Sequence, residues 1–201
     1  MTEISSRMKR DVKHLILMRH AEADWGLNDF DRPLTKRGHQ QAAQAGAWLA
    51  ERGYIPEQIM SSAALRTRQT TTWVSDALGE KGPTAHLDEG LYEVGASRII
   101  ARINGVSENV RSVLVVSHLP GIQDAAIQLT HPDSDQNAAM EMFYGFPRRP
   151  WQCLRCLGSG RFWMGRMRTL LRLKVSSPRF RAWWLGSVRA LGLKLLSGRG
   201  K

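Results

Sequence analysis

Cysteine is almost missing from this chain. Its 201 residues contain two, Cys153 and Cys156, and none before them. That excludes a disulfide framework, and a single Cys-x-x-Cys pair offers only half of the four ligands a structural zinc site takes. A redox pair of the thioredoxin kind needs a βαβ context, which this stretch lacks. The two cysteines therefore read as unpaired thiols, and the cysteine-free first 152 residues fit a cytoplasmic protein. Long apolar runs are missing too: none approaches the roughly 18 residues that span a bilayer. Met1 to Lys13 is polar and has no signal-like apolar core, so residues 1–13 read as a flexible extension. There is no Walker-type glycine loop and no acidic cluster suited to magnesium, so no cofactor and no metal are expected.

Negative charge is absent from a whole region. All 18 acidic residues lie at or before Glu141. Residues 1–146 hold 15 of the 29 Lys and Arg, which gives a net charge of −3. Residues 147–201 hold the other 14 with no carboxylate, and four of the seven tryptophans. Two compositions are joined in one chain.

The first region opens on the run Leu15-Ile16-Leu17-Met18, which stops on Arg19-His20. A short apolar run of this kind reads as a buried parallel strand, although periodicity alone does not separate it from a helix segment. The Gly, Asn, Asp and Pro residues of 23–34 then form a loop. Thr35 is placed to cap a helix over about 36–52, with Ala42, Ala45, Trp48 and Leu49 on one face and Gly53 as its stop. Gln58–Ser62 reads as a strand, and Ala63–Leu78 as a helix with Arg66 in its first turn, where free backbone N–H groups attract anions. His86–Val94 is a short strand or extended loop, and Ser97–Ile103 a short helix. Val113–Ser117 repeats the opening pattern and stops on His118, before a turn and a helix over Ile122–Leu129. Strands alternating with helices predict an α/β fold, a three-layer sandwich around a mostly parallel sheet. Ligands of such sheets bind outside the carboxyl ends of the strands. Arg19, His20, Arg66 and His118 all fall there, and two arginines with two histidines suit a phosphate dianion. A neutral imidazole can attack phosphorus while guanidinium groups stabilise the charged oxygens, with no metal required.

The segments LMRHAEAD, DRPLTKRGHQQA, SSAALRTRQT and VVSHLPG, in this order, resemble the histidine phosphatase superfamily, which is phosphoglycerate mutase-like. The fit is closest to its bacterial phosphohistidine phosphatase branch, and it covers roughly residues 14–141. The resemblance implies that His20 is the nucleophile that becomes phosphorylated. Arg19 and Arg66 match the phosphate-binding arginines, and His118 the second histidine. It leaves the proton donor open between Glu89, Glu93 and Asp24. Asp31 and Arg32, in the stretch Asp31-Arg32-Pro33-Leu34, are expected to shape the substrate-binding rim. The implied substrate is phosphohistidine in a phosphorylated protein, or a small phosphoester.

After Met140 the resemblance stops. The expected histidine phosphatase domain is 14–145. The basic, Arg/Trp-rich tail, 146–201, replaces the apolar strands and acidic turns that would complete the sheet, so its C-terminal strands are missing or replaced. Abrupt enrichment in Arg, Trp, Cys and Gly with total loss of Asp and Glu is what a shifted reading frame of a GC-rich gene produces. The competing reading is functional. Trp184, Val188, Leu191 and Leu195 share a helical face flanked by Arg181, Arg189 and Lys194. Such a tail binds a membrane surface or nucleic acid, and the chain would then be an inactive phosphate-binding module.

Overall fold

The computed structural model describes residues 13–25 and 28–130, with Met140, Phe143 and the pairs 156–157 and 172–173. Residues 1–12 and nearly all of the basic tail, with the expected boundary at 145/146, the tail helix and Cys153, lie outside the described residues. Lys13, the last residue of the expected flexible extension, is instead buried and pairs with Glu108 Oε2 at 2.7 Å. Among the described residues no helix is long and apolar enough to cross a membrane.

Four strands form one sheet in the order β1-β4-β2-β3: β1 (His14–Arg19), β2 (Gln58–Ser62), β3 (Ala85–Asp88) and β4 (Ser112–Ser117). Every pairing is parallel. The two central strands are buried throughout except Gln58, and β1 is buried at its four middle residues. This is the pattern of a sheet covered on both faces. Alternation of side chains assigns each residue to one cover. Ile16, Met18, Ile59, Leu114 and Val116 pack with Ala45, Leu49, Val74 and Leu78 of helices α1 (Lys36–Glu51) and α2 (Leu65–Leu78). Leu15, Leu17, Met60, Val113 and Val115 meet Ile99, Ile103, Ile122 and Ala125 of α3 (Ala96–Asn104) and α4 (Gly121–Gln128) on the other side. The result is the three-layer α/β sandwich that the alternating pattern implies. A two-residue antiparallel pair, β5 (Cys156–Leu157) with β6 (Arg172–Leu173), forms a separate small sheet.

Local chemistry fixes the element ends. Thr35 Oγ1 accepts the Gly38 N–H at 2.9 Å and starts α1. Gly53, at φ +68°, turns the chain out of it. His86–Val94 resolves into β3 followed by a 3₁₀ turn at Glu89–Leu91, whose start is capped by the Asp88 carboxylate on Gly90 N–H. At the head of α4 a Cβ on Gly121 would drive into the Val94 carbonyl, so that helix approaches the backbone before α3 as closely as only glycine permits.

Candidate active site

Parallel register brings the carboxyl ends of the strands to one edge. Arg19 pairs with Ser117 and Ser62 with Asp88. His20 continues the ladder by one bond, its N–H donating to the Ser117 carbonyl at 3.1 Å. His118 leaves β4 one residue later, and Arg66 is the second residue of α2, which starts just beyond β2. Thr70 ties two of these elements together. Its hydroxyl accepts the Ala21 N–H at 3.0 Å and donates to the Arg66 carbonyl at 2.7 Å.

The side chains converge. The rings of His20 and His118 lie 5.3 Å apart. Arg66 Nε donates to His20 Nε2 at 3.3 Å. The other ring nitrogen of His20, Nδ1, lies 2.7 Å from the Ala21 carbonyl and therefore carries the proton. Nε2 is left as the lone-pair nitrogen, facing Arg66. Ser62 Oγ lies 2.8 Å from His118 Nε2, and among the described residues His118 Nδ1 has no hydrogen-bond partner. Arg66, Ser62 and His118 are all buried.

Burial and positive charge hold both rings neutral. Desolvation is the largest cause for His20, opposed by its bond to Ala21 and reinforced by Arg19, Arg66 and Arg32, and its pKa falls to about 4. Desolvation also leads for His118, followed by His20, Arg66 and Arg19, and its pKa falls to about 3. Arg19, half-buried at the end of β1, acts on both.

Further groups around Arg66 come from the 24–34 loop and from the chain just after the 3₁₀ turn at Glu89–Leu91. Asp29 is their centre. Its Oδ2 receives Arg66 Nη2 at 2.8 Å and the Tyr92 hydroxyl at 2.6 Å, and its Oδ1 receives Arg32 Nη1 at 2.9 Å. The Asp29 carbonyl also accepts Arg66 Nη1. These donors, the Tyr92 hydroxyl first, hold its carboxyl well below the usual range, and Tyr92 is raised in turn. Tyr92 also meets the ring of His118 edge-on at 5.4 Å and that of Phe30 at 5.1 Å. Glu93 Oε1 lies 3.5 Å from Arg66 Nη2, on a backbone at φ +46° that non-glycine residues rarely adopt.

Arg19, His20, Arg66 and His118 are thus together, and the rim residues divide. Arg32 reaches the site through Asp29, donates Nε to the Asp24 carbonyl at 2.6 Å and stacks at 4.1 Å on the exposed Trp25 ring. Asp31, expected on the substrate side, is not there. Its carboxylate accepts the Asn28 amide at 3.0 Å and is exposed. The cause is the 3₁₀ turn at Asp29–Asp31: at three residues per turn, positions two apart point in different directions. Of the three donor candidates, Asp24 is exposed with Oδ1 on the Trp25 N–H, and Glu89 is exposed with its carbonyl on the Tyr92 N–H. Glu93 alone touches the cluster. Sequence reasoning missed Asp29 and Tyr92. Nothing in a loop with four acidic residues between 22 and 31 singles out one of them. Ser62, the partner of His118, was likewise not singled out.

Comparison with known proteins gives the family of the chain. Residues 15–102 match the model of the histidine phosphatase superfamily, branch 1. An uncharacterised protein of Mycobacterium tuberculosis is 35% identical over 144 residues, which span 70% of this chain and 88% of the relative. SixA from Nakamurella multipartitia superposes with a TM-score of 0.67 at 28% identity, over 82% of this chain and 94% of that one. The protein histidine phosphatase SixA complexed with tungstate gives 0.55 at 29% identity, over 59% of this chain and 78% of its own. On these matches this chain is a member of the histidine phosphatase superfamily.

Proposed function

We propose that this chain is a metal-independent phosphatase that works through a phosphorylated His20 and takes phosphohistidine in a protein as its substrate. The observation that carries the reading is the state of His20. Nδ1–H is tied to the Ala21 carbonyl, so the Nε2 lone pair faces the buried Arg66 guanidinium and accepts its Nε–H. The pKa of about 4 keeps that nitrogen unprotonated at neutral pH, and the Arg66 Nε–H it accepts passes to a phosphoryl oxygen as Nε2 attacks.

In the first step Nε2 attacks phosphorus, a P–Nε2 bond forms, and the bond to the leaving group breaks with its electron pair going to that group. Arg66 and Arg19 supply positive charge for the phosphoryl oxygens. Ser62 Oγ accepts the Ala64 N–H at 3.4 Å, and its own proton is then placed for His118 Nε2. His118 Nδ1–H is in that tautomer a buried donor suited to a phosphoryl oxygen. In the second step water attacks the phosphohistidine, the P–Nε2 pair returns to nitrogen, and inorganic phosphate leaves.

The leaving group decides between substrate classes. Both histidines are neutral, Asp29 is ionised, and the Tyr92 proton is committed to Asp29. Glu93 faces Arg66 as an ion pair. The resting cluster therefore holds no ready acid. An imidazole leaving group takes its proton on its distal nitrogen from solvent and needs no such acid, whereas an alkoxide does. This favours phosphohistidine over alkyl phosphoesters, and SixA among the similar structures supports the same direction. The test is mass spectrometry of the full chain after incubation with phosphoimidazole and a chelator. An acid-labile phosphate on His20 is expected. Turnover without it, or turnover lost with the chelator, refutes the mechanism.

A further inference from the structure

Asp29 holds Arg66 by one edge only. A guanidinium presents two edges that bind an anion bidentately, one formed by the two terminal nitrogens and one by Nε with a terminal nitrogen. The Asp29 carboxylate and carbonyl take Nη2 and Nη1. Nε points instead to His20 Nε2. The edge facing the nucleophile thus stays directed at the place where phosphorus is attacked. Asp29 is itself fixed from two more sides, by Tyr92 and Arg32. Arg32 is in turn bound to the Asp24 carbonyl.

We propose that Asp29 is a positioning residue for the reaction. It clamps the outer edge of Arg66, with Tyr92 as its brace, so that the inner edge is aimed across His20 at the transferring phosphoryl group. The proposal rests on the phosphatase reading above and gives this site a residue that the four-motif pattern does not contain. Two other roles are open to a carboxylate here, and the geometry opposes both. A stand-in for the phosphate would occupy the edge that faces His20, and Asp29 occupies the other. A general acid needs a proton, and Asp29 is surrounded by three donors that favour its ionised form.

The sign of one measurement separates these roles. Removing a negative charge from an oxyanion site strengthens oxyanion binding by charge alone. Weaker binding in Asp29→Asn therefore reports lost orientation, which neither a passive structural pair nor a phosphate mimic produces. The experiment uses the full chain, wild type, Asp29→Asn and Tyr92→Phe. Tungstate affinity is measured by calorimetry, and kcat and KM with para-nitrophenyl phosphate and with an alkyl phosphate. Asp29→Asn is expected to bind tungstate more weakly and to lose about 10- to 100-fold in kcat, equally for both substrates, the scale of a misplaced catalytic contact. Tyr92→Phe is expected to move both quantities in the same direction by less. Tungstate binding that is equal or tighter in Asp29→Asn overturns the proposal, as does a loss confined to the alkyl phosphate. If Asp29→Asn does not fold, the same readouts in Tyr92→Phe decide. A wild type that turns over neither ester nor phosphoimidazole refutes the phosphatase reading, and the tungstate affinities then judge the clamp on their own.

Discussion

The site is built from two regions of different character. One is the strand edge: Arg19, His20, Ser62 and His118 stand at the ends of β1, β2 and β4, held by ladder hydrogen bonds and a double-sided core. The other is the loop side: Asp29, Arg32, Tyr92 and Glu93 stand on 3₁₀ turns and irregular backbone, partly exposed, and hold one another by charge. Arg66 belongs to both, since its backbone starts a helix and its side chain joins the nucleophile to Asp29. The strand edge supplies groups that would touch phosphorus, and the loop side fixes their direction. The edge is maintained by the whole fold and the loop side by a few bonds, so substitutions on the two sides should differ in what they change.

The largest effect falls on the strand edge. His20→Ala removes the proposed nucleophile and should lower kcat on the order of 10⁴-fold or more while the protein stays folded. Near-native turnover by that variant would place the chemistry elsewhere. Arg66→Ala comes next. Losing one preorganised donor to a developing oxyanion costs on the order of 10²- to 10³-fold in kcat. It also strands Asp29 opposite Arg32 and Tyr92 alone, so the melting temperature should fall too. Kinetics together with thermal unfolding check both parts, and an unchanged melting temperature would show that the loop side does not depend on the bridge.

The pH dependence distinguishes the two regions by window. Histidines with depressed folded pKa values bind fewer protons in the folded state than in the unfolded one. As pH falls below 6.5 the unfolded chain takes up protons first, so stability declines from there down to about pH 4 for His20 and about 3 for His118. The slope approaches about 1.4 kcal/mol per pH unit for each group within its window. Asp29 is also depressed, but its contribution is present above the unfolded carboxylate value and is lost only below about pH 4. Urea titrations at pH 7, 5.5 and 4.5 should therefore show loss in the wild type over a range where Asp29 does not yet titrate. His118→Asn should flatten that slope. Activity follows the same rule: kcat/KM should hold to about pH 5 and fall toward pH 4, since the protonated ring of His20 is no nucleophile. An acid limb centred at 6.5 would mean that His20 is solvated in the free enzyme.

Most of the strand edge was legible from sequence because its causes are local and periodic. Apolar runs ending on Arg19-His20 and on His118 gave the two strands within a residue, and Thr35 and Gly53 bounded α1 by cap chemistry. The segment 86–94 was ambiguous because four residues of strand and one turn of 3₁₀ helix carry no period long enough to read. Asp29 was illegible for a different reason. Its importance comes from Arg66, 37 residues away, and Tyr92, 63 away, and from a turn that aims it inward. The same turn aims Asp31 outward, which short polar spacing alone does not reveal.

That pair gives the finest test of the comparison. Asp29 and Asp31 are chemically identical, two residues apart, and on one turn of the same loop. Among the described residues the Asp31 carboxylate bonds only the Asn28 amide, near the surface, where single substitutions change stability by about 0.5 kcal/mol or less. Asp31→Asn should therefore shift kcat/KM by less than about twofold, since it faces no group of the site and exposed charges are screened. Both variants remove one negative charge from the loop, so any long-range effect of net charge on phosphate capture is common to them. The excess loss in Asp29→Asn then isolates the bond to Arg66. Equal losses in the two would show that the loop acts through its charge alone, and that the direction of the 3₁₀ turn is immaterial to the chemistry.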